Sequence, residues 1–182
     1  MRLNLQCHSA TPSSAIESIS AEWSLSGAGM FWVRYHVEGA VERVRLPEES
    51  DDPGRTDNLW QHSCFELFLK DPRAERYCEY NFSPSGDWAA YGFTGYREGM
   101  TPLALATAPE IFLDFSDTHI GLEAGFAVPD DWRQIDLEAG LSAVIELQRG
   151  EKSLWALAHP EGKPDFHHQD CYGLRIEAAT RT

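Results

Sequence analysis

No stretch of this 182-residue chain approaches the roughly 18 to 20 consecutive apolar residues that a membrane span requires. Its start, MRLNLQCHSATPSSA, also lacks the apolar segment of about 7 to 15 residues that marks a secretory signal. Together these absences predict a soluble, cytoplasmic protein with no membrane partner. Cationic residues are few: 15 Lys and Arg stand against 29 Asp and Glu, a formal charge of −14. A phosphate backbone is met by clustered Lys and Arg, so nucleic acid is not expected as a partner. Anionic membrane surfaces are disfavoured for the same reason. A neutral polar ligand, a cation or a basic partner stays compatible.

Cysteine is sparse and scattered. Cys7, Cys64, Cys78 and Cys171 show no CxxC metal spacing. In a cytoplasmic setting they read as reduced, buried thiols. No GxSxG, HExxH or phosphate-cradling glycine loop occurs, so the balance is against an enzyme. No repeat, low-complexity tract or linker divides the chain, and residues 1–182 are expected to form one domain.

What the chain does carry is ordinary folded composition, 42% hydrophobic and 12% aromatic, laid out with the period of half-buried strands. Leu3 and Leu5 open one strand. Trp23 and Leu25 follow a Ser-rich loop, and Phe31, Val33, Tyr35 and Val37 alternate with polar neighbours. Val41, Val44 and Leu46 make another candidate strand. Pro47 to Asp57 is a polar loop with a turn at Pro53-Gly54. Further on, Ile111, Leu113 and Phe115, then Ile120 to Val128, then Leu141 to Leu147, Ser153 to Ala158 and Tyr172 to Glu177 complete the set. Asp130 and Asp131 are placed to cap a short helical turn bearing Trp132 and Ile135. The fold class is therefore all-β: an antiparallel, jelly-roll-like β-sandwich of about ten strands with little helix.

The segment Asn58 to Met100 is the most informative. Three aromatic, alternating runs are separated by compact breaks at Lys70 to Arg76 and Ser83 to Asp87, the pattern of an antiparallel meander. Period two places Phe65, Leu67 and Leu69 on one face, with His62, Cys64, Glu66 and Phe68 on the other. Tyr80 and Phe82 oppose Tyr77, Glu79, Asn81 and Ser83. In the third run Tyr91 and Phe93 are taken as core, which leaves Trp88, Ala90 and Gly92 facing away. Aligning the apolar sets gathers His62, Glu66, Glu79, Asn81 and Trp88 on one sheet face. Trp60 shares the parity of His62, and Arg97 reaches the rim as a fork of donors.

Carboxylates, an amide and an indole on one face suit a sugar, whose weakly polar ring face stacks on aromatics while its hydroxyls seek polar partners. Two alternatives use the same residue types. Glu66 and Glu79 are the kind of pair a glycoside-active enzyme employs. In the tail DFHHQDC, Asp165 and His167, with His159 upstream, have the chemistry of a Zn or Mn ligand set. The acidic run Glu48, Glu49, Asp51 and Asp52 lacks the fixed spacing of a calcium loop and reads as solvated.

Four segments together carry a family resemblance: NLWQHSCFELFL, YCEYNFSPSGDWAAYGF, GLEAGFAVPDDW and DFHHQDCYGLRI. Over most of Asp57 to Ile176 the chain resembles the DOMON-like superfamily. Within it the likeness is nearest to family-nine carbohydrate-binding modules and their stand-alone bacterial relatives. The resemblance implies a jelly-roll-like sandwich and a small-molecule ligand, a carbohydrate or sugar-like polyol, bound without catalysis. It predicts no cofactor for that role. Other DOMON-type domains bind haem through Met with His or Lys, and Met30, Met100 and several histidines keep haem, like a divalent metal, as the alternative.

Overall fold

A computed structural model describes residues 2–178. Among the described residues, twelve strands and three single 3-10 turns make up the regular structure, and the strands form two antiparallel sheets. One sheet contains β1 (Arg2–Cys7), β2 (Ile16–Leu25), β3 (Met30–Gly39), β9 (His119–Ala127) and β8 (Glu110–Phe115), in that order. The other runs β7 (Thr101–Pro102), β6 (Trp88–Phe93), β5 (Tyr77–Phe82), β4 (Cys64–Lys70), β10 (Leu137–Glu146) and β11 (Lys152–Ala156). A short β12 (Leu174–Ile176) also pairs with β10. Strand β1 belongs to both sheets: Arg2 to Leu5 pair with β2, and Gln6 and Cys7 pair with β11. The all-β, antiparallel sandwich anticipated from alternation is the observed class.

Between the sheets lies the main core. Phe31, Val33, Tyr35 and Val37 of β3 and Ile120, Leu122, Ala124 and Phe126 of β9 meet Phe65, Leu67, Tyr80, Phe82 and Leu141 of the second sheet. Those of β3, β4, β5 and β9 sit on the phase that period two assigned to the interior. Tyr35 crosses the whole core, and its hydroxyl donates to the Glu66 carbonyl at 2.6 Å. That bond satisfies a buried hydroxyl and pins the first sheet to the strand that carries Glu66.

Several local expectations are corrected. The Ser-rich segment ahead of Trp23 is not a loop but half of β2, whose ten residues begin at Ile16. Small serines alternate there with Ile19 and Ala21, so the buried phase is kept although the apolar signal is diluted. Val41 to Leu46 is not a strand: Val41–Arg43 form a single 3-10 turn, and Val44 makes one isolated bridge to Leu147. Asp130 to Ile135 forms turns rather than a helix, with Trp132 donating its N–H to the Pro129 carbonyl. Among the described residues no helix is long and apolar enough to cross a membrane.

Candidate functional site

The second sheet turns one face to the main core and the other outward. On the outward face β4 contributes Cys64, Glu66 and Phe68, β5 contributes Tyr77, Glu79 and Asn81, and β10 contributes Gly140, Ser142 and Val144. Two flanking segments wall this face. The first is Asp57 to Gln61, where Asn58 takes a left-handed φ of 65° and starts a 3-10 turn, Leu59–Gln61, that packs on β4 and β5. The second is the C-terminal segment from Pro164 to Tyr172. Its Phe166 and Tyr172 join Phe68, Tyr77, Tyr91 and Phe93 in a small aromatic cluster separate from the main core.

Between the walls lies a cleft of about 490 Å³, a volume suited to a small ligand rather than a macromolecule. Glu66 and Glu79 lie at its buried floor. Glu66 stands opposite Asn81 across the β4–β5 ladder, so Glu79, two residues earlier, is its diagonal neighbour. Burial, and secondarily the charge of Glu79, pushes the Glu66 carboxyl well above the ordinary carboxylate range. Its one side-chain partner, the Ser142 hydroxyl at 3.4 Å, pulls the other way. Glu79 is raised by burial too, opposed by a 2.7 Å hydrogen bond from the Asn81 amide and by the Arg97 charge.

His167 enters from the C-terminal wall, edge-on to Phe68 and Phe93. Burial, then the Arg97 charge, lowers its pKa to about 4, so the ring is neutral at pH 7. The Arg97 backbone N–H donates to the Tyr77 oxygen at 3.1 Å, and the Tyr77 hydroxyl shares a 2.8 Å hydrogen bond with His167 Nδ1. The other ring nitrogen, Nε2, faces Glu79 Oε2 at 3.7 Å. Arg97, with a left-handed φ of 56°, holds Asp165 through a 2.6 Å ion pair. Burial works to raise Asp165, but the hydrogen bonds from Arg97 and Tyr96 outweigh it and hold that carboxyl below its usual range. At the opposite wall the Tyr91 hydroxyl donates to Asp57 at 2.5 Å. Trp60 and Met100 line the mouth, both more than half exposed.

Of the residues singled out in the sequence, the cleft gathers Trp60, Glu66, Glu79 and Arg97. Asn81 lies behind the floor, fully buried, and acts on the cleft through Glu79. His62 is not in the lining. The strand starts only at Cys64, and His62 instead reaches Glu146 at the end of β10, at 2.8 Å. Trp88 is a correction of face. Phe82 stands directly opposite Trp88, so the indole points into the main core, with the Arg55 guanidinium 4.3 Å from its ring centre. Tyr91 and Phe93, read as core, are the residues that face the cleft. Tyr77 was placed on the correct face by period two but given no role, and Phe166 carried no signal at all.

The suggested metal ligands do not converge. His159 Nε2 bonds the Gln6 carbonyl, Asp165 serves Arg97 and Tyr96, and His167 serves Tyr77. Among the described residues, no three His, Cys, Asp or Glu side chains are grouped to hold a metal ion. All four cysteines are free thiols, three of them buried. Burial pushes Cys78 and Cys171 up to about 12, which keeps them protonated.

No protein-family model matches the chain, and no curated protein matches it in sequence. Solved structures do. A protein of Bacteroides uniformis, named as a candidate carbohydrate-binding protein, is similar with a TM-score of 0.70 at 14% identity. That match covers 95% of this chain and 83% of the other. A family-nine carbohydrate-binding module of Caldicellulosiruptor kristjanssonii, solved with cellotriose, is similar with a TM-score of 0.58 at 14% identity. There the match covers 100% of this chain and 84% of the other. At this identity the likeness speaks to architecture: the chain has the sandwich fold of the family-nine carbohydrate-binding modules.

Proposed function

We propose that this protein is a non-enzymatic sugar-binding protein that seats a small neutral saccharide in the cleft above β4 and β5. The observation that carries the proposal is the cleft floor. Two buried carboxyl groups, Glu66 and Glu79, face a space of about 490 Å³, and among the described residues no cationic side chain is bound to either. Buried polar groups need hydrogen-bond partners, and a sugar hydroxyl supplies donors and acceptors at once. The half-exposed Trp60 at the mouth offers the ring face on which a pyranose packs. His167, neutral at pH 7, adds a ring nitrogen whose hydrogen bonding does not depend on charge. The fold shared with carbohydrate-binding proteins, one of them solved with cellotriose, supports the same ligand class.

The test is thermal-shift and calorimetric titration of wild type, Glu66→Ala and Trp60→Ala with glucose and short gluco-oligosaccharides. A ligand that binds only the folded state raises the melting temperature by mass action. Loss of a buried hydrogen bond at Glu66 is expected to weaken binding by about 1 to 3 kcal/mol. Equal affinity in all three proteins would remove the cleft as the site.

A further inference from the structure

The outward face of the first sheet is a regular grid. One row across the strands reads Glu110, Gly125, Trp32, Ser24, and the next reads Phe112, Glu123, Arg34, Glu22. Gly125 is anomalous within it. Its φ is not positive, so its backbone asks for no glycine, and glycine inside a strand weakens it. The space above it explains the residue. A β-carbon on Gly125 would fall 2.5 Å from Cη2, 2.5 Å from Cζ3 and 2.6 Å from Cε3 of Trp32. A point nearly equidistant from three consecutive atoms of a hexagon lies on the ring normal through its centre. The six-membered ring of Trp32 therefore lies face-down on the sheet above Gly125, with its other face turned outward.

The surroundings are polar and fixed. Arg34 is clamped between Glu123 at 3.1 Å and Asp114 at 2.5 Å, so its guanidinium is held as a rigid fork. Because Trp32 leans toward β9, the β2 side is left open as a depression of about 370 Å³, walled by Trp32, Arg34, Glu22 and Glu123 and floored by Ser24. Phe112, 56% exposed, is a second aromatic on the same sheet face, one row along on β8 opposite Glu123.

We propose that this face is a second saccharide platform, independent of the cleft and on the opposite sheet, which takes an uncharged glycan chain. The occupant follows from the chemistry. Protein interfaces deplete charged residues at their centres, whereas here the aromatic ring is bordered directly by Arg34, Glu22 and Glu123. Five carboxylates, Glu22, Glu38, Glu110, Asp114 and Glu123, share this face with two guanidinia, Arg2 and Arg34, both drawn to carboxylates, and the excess of negative charge opposes anionic partners. A flat aromatic face rimmed by fixed hydrogen-bonding groups matches a pyranose, apolar on its face and hydroxylated around its edge. With two sites on opposite sheets, one molecule grips a glycan at two points.

Affinity electrophoresis in gels containing hydroxyethylcellulose or galactomannan tests this with the full chain. The proteins compared are wild type, a cleft variant (Trp60→Ala with Glu66→Ala), and that variant with either Trp32→Ala or Phe112→Ala added. The exposed Phe112→Ala guards against a Trp32→Ala protein that fails to fold, and circular dichroism checks both. Retardation should persist in the cleft variant and fall by roughly two- to twelve-fold in affinity when either aromatic is removed. If the cleft variant alone abolishes retardation, or if neither added substitution changes it, the platform is refuted. A wild-type dimer that Trp32→Ala converts to monomer, with retardation unchanged, would assign the face to a second copy and also refute it. Retardation unaffected by the cleft substitutions but lost with Trp32→Ala would retain the platform and count against the cleft.

Discussion

Trp60 and Trp88 are expected to behave in opposite ways when each is replaced by Ala, and the contrast rests on strand phase alone. Trp88 is 9% exposed, packs in the main core and carries the Arg55 guanidinium on its ring. Arg55 in turn bonds the Ala90 and Leu103 carbonyls. Truncating a buried Trp removes its transfer free energy and leaves a cavity, at a cost of about 3 to 5 kcal/mol. For a chain of this size that is a fall of roughly 6 to 20 °C in melting temperature. Trp60 is 52% exposed at the cleft mouth, so Trp60→Ala should shift stability by no more than about 0.5 kcal/mol. It should instead weaken sugar binding by the worth of one aromatic stack, about 0.5 to 1.5 kcal/mol. Urea unfolding measures the first quantity and isothermal calorimetry the second. A Trp88→Ala protein of normal stability that had lost sugar affinity would place that indole on the cleft side and overturn the assignment of faces.

Three further outcomes follow from the buried groups. Glu66→Gln keeps the shape and the Ser142 contact while removing a carboxyl whose folded pKa is raised. Such a group stabilises the fold below its unfolded pKa and loses that contribution as pH rises through the folded value. The variant should therefore gain stability over wild type as pH rises above the ordinary carboxyl range, and pH-dependent melting checks this. His167, lowered to about 4, stabilises above its unfolded pKa and loses that contribution on acidification through the folded value. His167→Gln should thus flatten the acid limb of the melting profile between about pH 6.5 and 4. Tyr77→Phe removes the hydroxyl that links the Arg97 N–H to His167 and should cost about 1 to 3 kcal/mol in urea unfolding, with freer His167 tautomer exchange by NMR.

The fold was legible wherever alternation was clean. β3, β4, β5 and β9 each bury the parity that carries no charged or amide residue, and in β4 and β5 the outward parity is marked by Glu66, Glu79 and Asn81 although Phe68 and Tyr77 share it. β6 failed because WAAYGF has aromatics on both parities, so hydrophobicity alone cannot choose between them. The choice lay in the loop. Ser83 to Asp87 leaves Phe82 facing Trp88, and directly opposed residues share a face, so counting the turn would have turned Trp88 inward. Glu66 and Glu79 were recoverable from period two alone, since both lie within single clean strands. Asp165, Phe166 and His167 were not, because they reach the cleft only when the tail folds back across the sheet, and no local pattern encodes that contact. The signal at Asp165 and His167 was chemical, read as metal ligation, whereas burial and hydrogen bonding to Arg97 and Tyr77 employ them instead.

The charge arrangement within the cleft also decides which sugars it should refuse. Among the described residues lining it, Arg97 is the sole Lys or Arg, and its guanidinium is held by Asp165 at 2.6 Å. His167 is neutral at pH 7. A ligand carboxylate would therefore enter a buried space containing Glu66, Glu79 and Asp57 with no free positive charge to receive it. An unpaired carboxylate taken out of water into such a space costs several kcal/mol, more than the contacts a single carboxylate could add in return. Glucose should accordingly bind measurably better than glucuronic acid at pH 7, and the gap should narrow as the pH falls and the carboxyls protonate. Competition calorimetry across pH 4 to 8 measures that difference. Glucuronate binding as tightly as glucose at pH 7 would mean that Arg97 leaves Asp165 to meet the ligand, and that the floor carboxyls do not set the specificity.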